Sequence, residues 1–231
     1  MKLSIIIPCF NEENTIELII KKVINNSYYN KEIIIIDDYS SDKSRIIIEK
    51  IKKKYLNIKT RYHDINLGKG ACIRSGLSIV EGEIVLIQDS DLEYNPNEHI
   101  KLIEPILNNK ADVVYGSRFR DKNSVAKMFF LQKFGNIFLT KFCNLFTKLN
   151  LTDMETCFKA FKTDLIKDIV LKENRFGIEP EITIKLSKKK CKFFEIPISY
   201  NNREYNEGKK INWKDGVSAI FCIIKYSLFD K

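Results

Sequence analysis

Glu83-Ile84-Val85-Leu86-Ile87-Gln88-Asp89-Ser90-Asp91-Leu92-Glu93 decides how the rest of the chain is read. Residues 84–88 are a short, nearly continuous apolar run bounded by Gly82 and by acids, the pattern of a buried strand. That strand delivers Asp89 and Asp91, with Ser90 between them, into the turn past its C-terminal end. In an open α/β sheet this edge is where ligands bind. Two carboxylates held there, with Glu93 just behind, offer the hard oxygen ligands that Mg²⁺ or Mn²⁺ takes, water and substrate phosphates completing the shell. Acids also favour turns and helix N-caps for purely local reasons, so the metal reading depends on what surrounds them.

Working outward, the same kind of boundary recurs. Residues 3–9 read as a buried strand with Pro8 where it can end. Asn11 is the expected N-cap of a helix with Glu12 and Glu13 in its first turn and Ile16, Ile19, Ile20 and Val23 on its inner face. A second strand over 32–36 runs into Asp37-Asp38-Tyr39-Ser40, and a helix over 43–54 is amphipathic through Ile46, Ile47 and Ile51. A third strand over 58–63 leads to Asn66-Leu67-Gly68-Lys69-Gly70, which opens a helix reaching Leu77. A helix over 97–108 and a strand over 112–116 follow the acidic turn. Strands and helices alternating through short connections specify a mainly parallel, doubly wound α/β sheet. Such a sheet brings Asp37/Asp38, residues 66–70 and Asp89/Asp91 to one crevice. An Asp ending the second strand suits a ribose or base, and equally an Asx-turn before Ser40. The N–H groups around Gly68-Lys69-Gly70 suit a phosphate at a helix N-terminus, although the spacing is not a Walker loop and Gly-Lys-Gly is commonly a plain turn.

The bulk composition fits one large α/β domain: 231 residues, 44% hydrophobic and 30% charged, which excludes a disordered chain. The net charge of +9 rests mostly on Lys and argues only weakly for an anionic partner. With no recognition motif, nucleic acid is not an expected partner. Six cysteines without a C-x-x-C read as reduced thiols of a cytoplasmic protein. The N-terminal apolar run is too short for a signal sequence, and no run approaches the roughly 20 apolar residues of a membrane span.

Residues 125–149 suggest peripheral membrane contact instead. On a helical wheel Phe130, Leu131, Phe134, Phe138, Phe142 and Leu145 share one face. Gln132, Asn136, Thr140 and Asn144 step along the other, with Lys127, Lys133, Lys141 and Lys148 interspersed. An aromatic face among lysines suits a helix lying in the membrane interface, while packing against the core is the commoner use. Residues 217–229 form a second apolar segment of the same kind.

The motifs 5–12, 35–40, 66–70 and Asp89-Ser90-Asp91 resemble those of the family 2 glycosyltransferases of GT-A fold, and the likeness is greatest to the dolichol- or polyprenyl-phosphate mannosyltransferase branch. It continues through 115–119, Asp153-Met154-Glu155-Thr156-Cys157-Phe158-Lys159-Ala160, 176–181, 195–200, Arg203 and 207–211. The resemblance implies a single GT-A domain over 1–231. Residues 1–120 would bind the nucleotide-sugar, and 121–231, with C-terminal amphipathic helices, would face acceptor and membrane. It implies that Pro8, Phe10, Glu12 and Asp38 hold the nucleoside, with Lys69 and Ser90 also on the donor. It further implies Asp89, Asp91 and Glu93 on Mg²⁺ or Mn²⁺, and Arg118, Arg203 and Lys209 on donor and acceptor phosphates. Tyr39 stands where the family commonly has Gly, and Glu93 where it often has Gln.

The implied reaction is inverting transfer of a hexose to a polyprenyl or dolichyl phosphate at the cytosolic membrane face. Mannose from GDP-mannose is the first expectation, and UDP-glucose is the alternative donor. An ionised phosphate acceptor needs no protein base, but it does need cations that hold two anions together. Arg203 and Lys209, in a polar segment containing Gly208, suit a lid over them. Transfer to a glycan hydroxyl is a further alternative and would need a carboxylate base. Glu179 is the candidate, unless it only caps the helix start at Pro180.

Overall fold

Runs of branched aliphatic residues, stiff at χ1 and well suited to a pleated surface, build the centre of the molecule. A computed structural model describes residues 1–28, 30–126, 128–203 and 213–230. Seven strands form one sheet: β1 (Leu3–Cys9), β2 (Lys31–Asp37), β3 (Ile58–Tyr62), β4 (Ile84–Ile87), β5 (Val113–Ser117), β6 (Lys159–Lys162) and β7 (Phe193–Pro197). Their order is β3-β2-β1-β4-β6-β5-β7. Every neighbouring pair is parallel except those of β6, which runs antiparallel to both β4 and β5. All residues of β1, β2, β4 and β5 are buried, as expected of a sheet covered on both faces.

The helices are α1 (Ile16–Asn25), α2 (Ser44–Lys52), α3 (Lys69–Leu77), α4 (His99–Leu107), α5 (Lys122–Ala126), α6 (Phe130–Thr147), α7 (Thr163–Lys167), α8 (Ile178–Ser187) and α9 (Trp213–Leu228). α3 packs on β1 and β2, α4 lies against β4, β5 and β6, and α6, α8 and α9 pack on one another. Three sequence expectations are corrected. α1 begins at Ile16 instead of at Asn11, because Asn11 sits in the left-handed region at φ 50°. Its Oδ1 accepts from the Ser41 N–H at 2.8 Å, so it serves the neighbouring loop. Ile46 is exposed, and α2 buries Ile48 and Ile51. The single helix expected over 125–149 is two, α5 and α6.

The direction of the strands positions the site. The C-terminal ends of β1, β2 and β4 lie at one edge, where Cys9 pairs with Asp37. Since β6 runs the other way, its first residue reaches that edge too: Lys159 pairs with Ile87 at the end of β4. The segment preceding β6, residues 153–158, therefore enters the site from the opposite chain direction.

Candidate active site

A cavity of about 1070 Å³ opens at this edge, slightly more than the roughly 1,000 Å³ at which small-molecule clefts usually stop. Pro8, Phe10, Glu12, Asp38, Lys69, Asp89, Ser90, Asp91, Glu93, Arg118 and Arg203 all line it. Lys209 lies outside the described residues, as does the rest of its motif.

Some of these side chains are committed to holding the cavity in shape. Asp38 accepts from the N–H groups of Leu67 at 2.9 Å and Gly68 at 2.7 Å, from Asn66 Nδ2 at 2.9 Å, and pairs with His63 Nδ1 at 2.7 Å. It thus pins the loop that opens α3. Asp38, His63 and Cys72 come within 4.8 Å of one another, but with both Asp38 oxygens taken the trio is a hydrogen-bonded cluster. The same loop is pressed against 173–175. Gly68 has φ +100°, and a Cβ there would lie 2.5 Å from Asn174 O, which only glycine tolerates. Of the N–H groups expected to cradle a phosphate, that of Gly68 goes to Asp38, and that of Ala71 goes to Asn174 O at 3.1 Å.

At the floor, Lys69 Nζ stands 2.9 Å from Asp89 Oδ1 and 3.2 Å from Glu179 Oε1. Burial penalises the Lys69 charge, but Asp89, Cys157 and Glu179 outweigh it and raise its pKa. Burial likewise opposes ionisation of Asp89, whose pKa nevertheless falls because of Lys69. Asp91 behaves oppositely: burial, then the charges of Asp89 and Glu93, push it up to about 8 against the pull of Arg203. Two carboxylates two residues apart, one of them held up toward its neutral form by burial and by the charges of Asp89 and Glu93, offer hard oxygens that fit a divalent cation held by Asp89 and Asp91. Glu93, the third expected ligand, is hydrogen-bonded through both carboxylate oxygens. Its Oε2 accepts from Tyr200 Oη at 3.0 Å and its Oε1 from the Arg203 N–H at 3.0 Å. Glu93 thus ties the acidic turn to the strap 200–203.

The arginines divide their work. Arg118 gives Nε and Nη2 to Asp153, each at 2.7 Å, and its guanidinium carbon lies 5.2 Å from the Tyr200 ring centre. That leaves Nη1 for a ligand. Arg203 Nη1 binds both Glu12 oxygens and Nη2 lies 3.6 Å from Asp91 Oδ2.

Sequence reasoning did not single out Asp153, Glu155 or Lys159. Lys159 is fully buried, bonded to Glu179 Oε2 and Thr156 O, and Glu155 lines the cavity. Their only signal was the 153–160 motif.

Toward α6 and α9 the lining is mixed, with Gln132, Asn136 and Asp215 among aromatic and aliphatic side chains. Phe129, Phe130 and Leu131 line this mouth beside Gly216 and Ala219 of α9. α6 buries Leu139, Thr140 and Cys143 and leaves much of its aromatic face exposed. Phe130 is 79% exposed, Leu131 83% and Phe134 66%. On the inward side, Gln132 donates to Tyr200 Oη at 3.3 Å, Thr140 Oγ1 accepts from the Met154 N–H at 3.0 Å, and Asn144 exchanges bonds with Leu151. α9 adds exposed Val217 and Phe221. Among the described residues no helix is long and apolar enough to cross a membrane.

The Glycosyl transferase family 2 model matches residues 4–170. A dolichyl-phosphate beta-glucosyltransferase of Trichomonas vaginalis is 28% identical over 99% of this chain and 74% of its own length. A dolichol-phosphate mannosyltransferase of Pyrococcus furiosus is 28% identical over 90% of this chain and 59% of its own. Among solved structures, glucosyl-3-phosphoglycerate synthase of Mycobacterium tuberculosis, crystallised with Mn²⁺, UDP and phosphoglyceric acid, has a TM-score of 0.73. It covers 100% of this chain and 80% of that one at 17% identity, a likeness of fold.

Proposed function

Because the chain belongs to the family 2 glycosyltransferases, we propose that it transfers a hexose from a nucleoside-diphosphate sugar to a polyprenyl or dolichyl phosphate at the cytosolic face of a membrane. One observation carries this: a single cavity runs from a floor of paired acids and cations to a partly aromatic mouth beside the outward face of α6. A charged, water-soluble donor suits the floor, and an acceptor with an anionic head on an apolar chain suits the mouth. The named relatives, one a glucosyl- and one a mannosyltransferase for dolichyl phosphate, support the same acceptor.

In the mechanism we propose, residues 1–120 hold the donor and 121–231 face the acceptor. Asp89 and Asp91 would hold a Mg²⁺ or Mn²⁺ ion, which supplies neutralisation of charge on the departing diphosphate. Pro8, Phe10, Glu12 and the loop pinned by Asp38 enclose the nucleoside. Lys69 fixes Asp89. Arg118 and Arg203 bring the two anions together against their repulsion, the main obstacle to this reaction. The acceptor phosphate oxygen attacks the anomeric carbon as the diphosphate leaves from the opposite side, inverting the centre. No proton has to be removed. Glu179, the candidate base for a hydroxyl acceptor, already faces Lys69 and Lys159 with its two oxygens, which favours the phosphate acceptor. The outward aromatic residues of α6, joined by Phe221 of α9, would rest in the membrane interface.

The test supplies purified protein with labelled GDP-mannose or UDP-glucose, polyprenyl phosphate in vesicles and Mn²⁺. One donor yields a chloroform-soluble labelled lipid, and Asp91→Ala abolishes it. Label transferred to a water-soluble glycan instead overturns the lipid acceptor.

A further inference from the structure

We propose that Glu155 is a sugar-reading residue, its side chain hydrogen-bonding a hydroxyl of the hexose being transferred. This rests on the function proposed above and assigns the part of the cavity that the phosphates, cation and nucleoside do not claim.

Glu155 lies in the segment that the reversed β6 carries to the ligand edge, and it lines the cavity. Its neighbours are charged, and most of their polar atoms are engaged with one another. Lys159 is bonded to Glu179, Arg118 is held bidentately by Asp153, and Glu179 also faces Lys69. Glu155 Oε1 is buried and has no hydrogen-bond partner among the described residues. Native proteins rarely leave a buried carboxylate oxygen unpaired, and such an oxygen calls for a partner; for Glu155, which lines the cavity, a bound ligand is the partner within reach.

The chemistry of the ligand follows from the surroundings. Burial, then Glu179, raise the Glu155 pKa against Lys159 and Arg118, with Asp153 adding to the rise, to about 7. Cys143 of α6 is the titratable group facing it from the helix side, its own pKa raised by burial and by Glu155. Near neutrality the carboxyl is therefore present in both forms. The donor's diphosphate offers only acceptors near neutral pH and would be repelled by the ionised form. A hydroxyl donates to a carboxylate and accepts from a carboxylic acid, so it pairs with either. On the proposed donor those hydroxyls belong to the hexose, since the nucleoside lies toward Asp38 and the cation toward Asp91.

Calorimetric titration with Mg²⁺ present and no acceptor tests this. The ratio of the Kd for UDP-glucose to that for UDP is compared with the ratio for GDP-mannose and GDP, using whichever pair the wild-type protein binds. Glu155→Leu should raise the ratio roughly tenfold, the effect of one lost hydrogen bond to a charged group, while the bare nucleotide binds within twofold of wild type. Glu155→Gln, which keeps a donor and an acceptor, should restore most of the ratio and also controls for folding. A ratio unchanged in Glu155→Leu, or sugar and bare nucleotide weakened alike in both variants, overturns the assignment and leaves the transferase reading intact. A wild-type protein that binds neither nucleotide brings down both.

Discussion

Arg203 Nη1 donates to both carboxylate oxygens of Glu12, each at 3.1 Å, so that a residue of the strap after β7 is clasped to the loop after β1. The clasp closes one side of the cavity and leaves Nη2 beside Asp91. Arg203→Ala should lower kcat/KM about 10²-fold, the usual cost of removing one charged donor from a reacting anion. Glu12→Gln, which loosens the clasp and keeps the cation, should cost less. Steady-state kinetics on both variants measures the difference, and equal losses would mean that Arg203 serves only as a clasp.

Asp153 is wholly buried and satisfies two nitrogens of Arg118. Removing it strands a buried cation, so Asp153→Ala should destabilise the fold by about 3–5 kcal/mol. Asp153→Asn, still an acceptor, should cost less. Urea denaturation reads both.

Gly68→Ala combines a left-handed backbone with a Cβ 2.5 Å from Asn174 O. A loss of about 1–3 kcal/mol is expected from the strain. Because the same loop is fastened to Asp38, weaker donor binding should accompany it. Thermal melting together with nucleotide titration tests the pair of effects.

His99 is fully buried between Asn26 Nδ2 at 2.9 Å and Gln88 Oε1 at 2.8 Å. Burial, helped by Lys31, lowers its pKa to about 3. The unfolded chain therefore binds a proton below about pH 6.5 that the folded one refuses. Its contribution to stability is complete above that pH and falls as the pH drops from about 6.5 toward 3, at up to about 1.4 kcal/mol per unit. His99→Gln should flatten this stretch of the stability–pH curve measured by urea denaturation, and an unchanged slope would put the acid sensitivity elsewhere.

Phe134 is exposed on α6, so Phe134→Glu should shift stability by no more than about 0.5 kcal/mol. The same change should sharply reduce co-sedimentation with anionic vesicles. Undiminished sedimentation would assign the aromatic face another role.

How much of this could be read from the chain varied with the physics of each part. β1, β2 and β4 were legible because strands buried on both faces are nearly uninterrupted apolar runs. Their acidic ends therefore mark the crevice without any tertiary knowledge. β6 was not legible: Lys159-Ala160-Phe161-Lys162 begins and ends in lysine, and Lys159 is buried because Glu179, Thr156 O and the Tyr115 ring all meet its ammonium. The wheel of α6 placed Phe130, Leu131, Phe134 and Phe138 on a face that is exposed. It also put there Phe142, which packs against the core, and it did not mark the buried Leu139 and Cys143. Which face turns inward is set by Tyr200, Met154 and Leu151, which need the amides and hydroxyl of Gln132, Thr140 and Asn144. Asn11 misled because an N-cap residue and a loop acceptor look alike until Ser41 is placed.

The lone strand running against the others, β6, separates what assembles the scaffold from what customises it. Its backbone pairing with β4 and β5 is indifferent to the side chains in the preceding stretch, 153–158. Under the proposal for Glu155, a substitution at that one position changes which sugar is accepted, while its neighbours Asp153, Met154 and Phe158 stay locked in the core and the acid pair, carried on a different strand, keeps its station.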